Sequence, residues 1–165
     1  MNFKKIETYM KMATEISKLS PDEETQVGAI MLSPEGRVIA SSLNGFLRGA
    51  PDDELPHTRP GKYEFIQHAE RNMIYNCAYE GIRTKNTTII CTLSPCLECL
   101  RACFQAGVRT IVFKDLYHKF DNIYFYSKLP DINVDVGCLL HPDRGLNPDK
   151  DGFKILEMSR KDENS

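Results

Sequence analysis

Apolar residues recur at Phe3, Ile6, Met10, Ala13 and Ile16, with Leu19 behind them. Steps of three and four place them on one face, predicting an amphipathic helix over 3–19. Ser20-Pro21-Asp22-Glu23-Glu24 breaks that pattern. Val27 to Leu32 is an apolar run of strand length, Ser33-Pro34-Glu35-Gly36 reads as a hairpin turn, and Arg37 to Leu43 is the partner strand. Strands joined so tightly run antiparallel. Asn44 to Lys62 holds three prolines and three glycines, which predicts a long loop. Loops beyond about 12–15 residues are usually functional or disordered, so this one is read as a pocket wall or lid.

Ala69, Met73, Ile74, Cys77 and Ala78 predict a helix from His68 to about Tyr79. Thr87 to Thr92 is rich in β-branched residues and predicts a strand. Pro95 suits the start of a second helix, Gly107 its end, and Thr110 to Phe113 a further strand. Strand, helix and strand through 87–113 imply a parallel pair with a crossover helix. A helix over 123–129 and an edge strand over 132–136 complete the pattern. It fades beyond Cys138, so 138–165 is read as a C-terminal extension of a single domain spanning 1–165. No internal repeat is present.

The chain has 165 residues, 41% hydrophobic and 27% charged, enough to bury a core. A formal net charge of -2 argues against a nucleic-acid partner, while leaving room for a local basic pocket for one phosphate. No run of eighteen apolar residues exists, so no membrane partner is expected. The first residues lack the apolar core of a secretory signal, which makes the cytoplasm the expected compartment. Among six cysteines, Cys96 and Cys99 form a C-x-x-C, and Cys77, Cys91, Cys103 and Cys138 lie in apolar contexts. Without an export signal, buried thiols and metal ligands explain them better than disulfides.

The chemistry concentrates in His68-Ala69-Glu70 and, twenty-eight residues on, Pro95-Cys96-Leu97-Glu98-Cys99. His68, Cys96 and Cys99 make three zinc ligands. Structural zinc sites close with four protein ligands, whereas catalytic sites keep a position for water. Zinc held here would lower the pKa of a water toward ~7 for attack on C4 of a cytosine ring, with Glu70 moving the protons. H-x-E followed by P-C-x-x-C is the pattern of zinc-dependent nucleobase deaminases. The bland alternative is a structural zinc half-site or two core residues on a helix face. A closed site would need a fourth ligand, for which Cys103, Cys138, His57 and His141 are candidates. Glu98 reads as a solvated acid.

Around this motif the chain resembles the cytidine deaminase-like superfamily and, within it, the deoxycytidylate (dCMP) deaminases. The stretches carrying the resemblance are Thr25-Gln26-Val27-Gly28-Ala29, Leu43-Asn44-Gly45 with Gly49, and Asp52-Asp53-Glu54-Leu55-Pro56. Lys62-Tyr63 ahead of His68-Ala69-Glu70-Arg71-Asn72, Thr92-Leu93-Ser94-Pro95-Cys96 with Cys99, and Gln105-Ala106-Gly107-Val108 extend it. Tyr117-His118 falls one residue short of the family's usual offset.

The resemblance implies an α/β/α three-layer sandwich around a five-stranded mixed sheet. It also implies a homo-oligomer: a dimer, a trimer of dimers or a hexamer. It implies hydrolysis of dCMP to dUMP, feeding thymidylate synthesis. Other deaminases of the superfamily (acting on dCTP, modified dCMP, cytidine or tRNA adenosine) and a non-catalytic zinc-binding regulatory subunit are the alternatives. Asn44 falls where the family hydrogen-bonds the sugar, although an Asn-Gly turn residue is its plainer reading. The N–H of Ala69 and the carbonyl near Ser94 are implied contacts to the base, and Tyr117 to phosphate or sugar. Many relatives carry an arginine where this chain has Leu19. Phosphate recognition then falls to Ser20, Thr25, Arg48, Arg59 or Lys62, with Arg48 and Thr25 ranked first. Family members respond to dCTP and dTTP with magnesium on the nucleotide. Asp52, Asp53 and Glu54 belong either to such a site or to a solvated acidic loop.

Overall fold

The computed structural model describes residues 1–116 and 132–164. Six strands form one mixed sheet, β1 (Gly28–Leu32), β2 (Val38–Leu43), β3 (Thr88–Leu93), β4 (Thr110–Asp115), β5 (Ile132–Leu140) and β6 (Gly152–Arg160), in the order β2-β1-β3-β4-β6-β5. β3 and β4 run parallel; the other neighbouring pairs are antiparallel.

Alternation along the strands builds two cores, because successive side chains point to opposite faces. Ile30, Leu32, Ile90, Val112 and Phe153 meet Ile6, Met10 and Ala13 of α1 (Phe3–Ser17). On the other face Ala29, Met31, Ile89, Cys91, Ile111, Phe113 and Leu156 meet Met73 and Cys77 of α2 (Ala69–Glu80) and Leu100 and Cys103 of α3 (Leu97–Gln105). All five residues of β1 are buried, as a strand covered on both faces requires. The layers are therefore α/β/α, and no helix among the described residues is long and apolar enough to cross a membrane.

The sheet has six strands rather than five. β6 enters between β4 and β5, pairing Ile111 with Leu156 on one side and Val136 with Leu156 on the other. It lies within the segment that the fading pattern assigns to an extension. Its apolar positions, Phe153, Ile155, Leu156 and Met158, break strict alternation, and its partner β4 is nearly forty residues away. A short α4 (Pro148–Asp151) leads into it. The helix expected over 123–129 lies outside the described residues, as do Tyr117 and His118.

The helix ends follow local chemistry. Asn2 caps α1 by accepting a hydrogen bond from Lys5 N at 3.0 Å. Gly81 closes α2 at φ 71°, a left-handed position that glycine adopts without strain. Gly28 lets α1 rest directly on β1: a Cβ there would sit 2.0 Å from the Ala13 carbonyl oxygen and 2.7 Å from Ser17 N.

Both neighbours are backbone, so Gly28→Ala must push a helix off the sheet. It is expected to lower stability by about 3 kcal/mol or more. Gly36→Ala, at φ 83° with nothing within 4 Å, is expected to cost only the left-handed strain of ~1–2 kcal/mol. Urea midpoints of the two variants check this; equal losses would contradict the close approach.

Candidate active site

Two helix starts meet at the site. His68 is the N-cap of α2 and Cys96 the N-cap of α3, each with extended backbone. The residue before His68 is fixed by a bridge to the end of β2, where Gly45 and Gln67 exchange hydrogen bonds of 3.1 and 2.8 Å. Cys96 follows β3 by three residues, and its sulfur accepts from Cys99 N at 3.5 Å. His68 Nδ1 lies 3.4 Å from the sulfurs of both Cys96 and Cys99.

These three are the metal-competent group found among the described residues, with their donor atoms all within 4.8 Å of one another. None of Cys103, Cys138, His57 or His141 joins them. Cys103 is instead buried in the core with α2 and the sheet. One imidazole nitrogen and two sulfurs are a zinc donor set, one short of a closed structural site.

The charges prepare the site for a cation. A hydrogen bond from Cys99, with the His68 imidazole and the Cys99 N–H adding to it, lowers the Cys96 thiol to about 3. Sharing that proton with Cys96, together with burial, pushes Cys99 the other way. One thiolate thus stands formed, and the second proton is released when a metal arrives. Glu70, the second residue of α2, is 3% exposed, and burial raises its carboxyl above the ordinary 4.5. A carboxyl whose proton affinity is raised beside a metal site is suited to exchanging protons.

A cleft of about 240 Å³ brings this group together with a second one. Ala69, Ser94, Thr25 and Asn44 line it, as the sequence reading places them, together with Asp22, Arg59, Lys62 and Tyr63. Lys62 and Asp22, each 3% exposed, form a buried ion pair with Nζ–O distances of 2.8 and 2.7 Å. Asp22 also accepts from Glu24 N at 2.8 Å and Thr25 N at 3.0 Å. Asn44 donates through Nδ2 to Asp22 at 3.2 Å and to the Thr25 carbonyl at 2.8 Å, and accepts from Val27 N through Oδ1 at 2.8 Å. Ser20 donates to the Asn44 carbonyl at 2.7 Å.

Arg48 lies elsewhere. Its guanidinium donates to Asn76 at 3.0 Å and covers the Tyr79 ring at 4.1 Å, on the outer side of α2 and away from the cleft lining. Arg59 is the loop arginine that reaches the cleft, bonding Tyr63, Glu24 and Thr25. The sequence reading includes Arg59 among its candidates but ranks Arg48 above it, because two loop arginines eleven residues apart look alike until the loop is folded. Glu98 pairs with Arg71 at 2.9 Å on the cleft wall, while remaining 69% exposed. Asp52, Asp53 and Glu54 form an exposed single-turn helix outside the cleft lining.

A three-donor metal group with a buried carboxyl beside it, on helix starts beyond the carboxyl end of a central strand, defines a water-activating metal centre. The family model described as the cytidine and deoxycytidylate deaminase zinc-binding region matches residues 3–115, and this chain belongs to that family. Human deoxycytidylate deaminase is 33% identical over 122 residues, covering 70% of this chain and 67% of the human one. The deoxycytidylate deaminase of phage T4 is 38% identical over 84 residues, 48% of this chain and 40% of that one. The dCMP deaminase of cyanophage S-TIM5, solved with dCMP and dUMP, shares 30% identity and a TM-score of 0.64 over 75% of this chain and 90% of that one.

The buried pair yields a pH prediction. Burial alone would raise the Asp22 carboxyl, but Lys62 and the two backbone N–H donors outweigh it and leave it below 3.8. A depressed carboxyl contributes its full stability above the unfolded value and loses it as pH falls through the folded one. Asp22→Asn, which strands the Lys62 charge, is expected to cost about 3–5 kcal/mol at neutral pH. The difference in urea midpoint from the parent protein is expected to close as pH falls below the ordinary carboxylate range and through the depressed Asp22 value. A gap that stays constant with pH would show that Asp22 carries no charge in the fold.

Proposed function

We propose that this chain hydrolyses dCMP to dUMP and ammonia, with zinc as its cofactor. One observation carries the reading: a single cleft is lined both by the His68–Cys96 metal group with Glu70 and by the Arg59–Lys62 cationic group. The first suits attack on an amino-bearing ring carbon and the second suits an anionic tail. Family membership and the cyanophage relative solved with dCMP and dUMP support the same substrate.

Zinc held by His68, Cys96 and Cys99 would supply a Lewis acid that brings the pKa of a water toward ~7. Glu70 accepts a proton from the water that attacks C4 and delivers it to N3. It then takes the second proton from the new C4 hydroxyl and passes it to the amino group, which leaves as ammonia as the C4 carbonyl forms. Ala69 is the first residue of α2, so its N–H has no acceptor within the helix and is available to the base edge. Ser42 donates to the Ala69 carbonyl at 2.6 Å and fixes that peptide. The Ser94 carbonyl, at the end of β3, meets the base from the other side.

Asn44 has committed both Nδ2 hydrogens to Asp22 and Thr25. It can therefore meet the substrate only as an acceptor, through Oδ1, which suits a sugar hydroxyl. Arg59 takes the phosphate with Thr25 and Tyr63, in the role the sequence ranking gave to Arg48.

Glu70→Gln is expected to keep one zinc per chain by elemental analysis and to lose dCMP turnover by about 10²–10⁴-fold. Ammonia release within a few-fold of the parent would remove Glu70 from the chemistry. A chelator strong enough to strip the metal is expected to abolish turnover, and added zinc to restore it.

A further inference from the structure

The two cations of the Arg59–Lys62 group are not equivalent. Lys62 and its partner Asp22 are both sealed from solvent, and Asp22 is also held by Asn44 and two backbone N–H groups. That pair is a fixture. Arg59 and Glu24 are 41% and 30% exposed. Glu24 accepts from Arg59 Nη1 at 2.8 Å and from the Arg59 backbone N–H, and it lies 3.6 Å from Lys62 Nζ. The remaining guanidinium nitrogens serve Tyr63 OH at 2.6 Å and Thr25 Oγ1 at 3.2 Å. One carboxylate thus occupies a guanidinium N–H, a backbone donor and the approach to an ammonium.

This is the donor set that a phosphate would use, since guanidinium forks match carboxylate and phosphate alike. With Glu24 in place, Asp22 and Glu24 cancel Arg59 and Lys62, and the cluster is neutral. With Glu24 turned outward, the cluster carries one net positive charge toward the cleft. Resting on the dCMP reading, we propose that Glu24 is a resident stand-in for the substrate's phosphate. It holds Arg59 poised in the empty cleft and yields to a phosphate. Glu24 is therefore a specificity-determining residue: a nucleoside leaves it seated, and a nucleoside monophosphate displaces it. Asp22 cannot play this part, because its bonds would have to break inside the protein.

The test compares the zinc-loaded parent with Glu24→Gln, Arg59→Ala and the double variant, using dCMP and deoxycytidine. Gln keeps the acceptor for the Arg59 backbone N–H while deleting the competing charge. Losing a partly exposed pair is expected to lower KM for dCMP about three- to tenfold, with kcat and the KM for deoxycytidine unchanged. Arg59→Ala is expected to raise KM for dCMP selectively, and in the double variant the gain from Glu24→Gln is expected to vanish. An unchanged or raised KM for dCMP in Glu24→Gln, or an equal fall for both substrates, would overturn the assignment. Calorimetric affinities for dUMP and deoxyuridine repeat the comparison without turnover. Absence of ammonia release from dCMP by the parent would strike the proposed function alone, and the dUMP affinities would still decide the role of Glu24.

Discussion

The buried pair of Lys62 with Asp22 ties together three stretches that the sequence keeps far apart. Asp22 sits between α1 and β1, Asn44 just after β2, and Lys62 on the turn that precedes α2. Desolvating two charges is costly, and a pair of well-packed apolar residues often stabilises a fold equally well. An apolar pair could not orient the Asn44 amide, receive the Thr25 and Glu24 N–H groups, and remain a wall of the cleft. The ion pair is kept for what it positions. Because Lys62 lies six residues before His68, holding its ammonium also limits where α2 can begin.

The sheet supplies the other half of the constraint. β3 runs parallel to β4, so the connection leaves the carboxyl end of β3 and enters α3 within three residues, with Cys96 on the turn. Open α/β sheets commonly place their ligands just beyond the carboxyl ends of strands. Here α2 starts at the same place, and its N-terminal dipole adds to that of α3. Two helix starts and a cationic neighbour, Arg71, offset the accumulation of thiolate and carboxylate in a buried volume. This is how Cys96 can be a thiolate beside a carboxyl that burial raises above its ordinary value.

What could be read from the sequence divides by range. The metal group was legible because its members sit in two short motifs, whose spacing reports on helix starts rather than on the whole fold. The hairpin of β1 and β2 and the β3–α3–β4 crossover were legible for the same reason: each is local. The sixth strand was not. β6 pairs with a strand from the middle of the chain and reaches it across the β5 hairpin, and nothing in Phe153 to Met158 announces that partner. Arg48 and Arg59 illustrate the same limit in side chains. Both lie in one irregular loop, and only the packing of Tyr79 under Arg48 and of Tyr63 beside Arg59 separates them.

Net charge misleads here for a related reason. A chain of formal charge -2 still presents an anion-receptive cleft, because binding depends on which charges are exchangeable and not on their sum. Of the three cations lining the cleft, Lys62 is locked to Asp22 inside the protein, Arg71 is paired with Glu98 next to the metal group, and Arg59 is held by a partly exposed Glu24. A permanently free arginine would bind any small anion and would repel its cationic neighbours in the empty protein. A permanently paired one would refuse the substrate. Pairing it with a side chain that can turn into solvent avoids both outcomes, and Glu24 beside Thr25 is then part of the recognition apparatus rather than surplus charge on a loop.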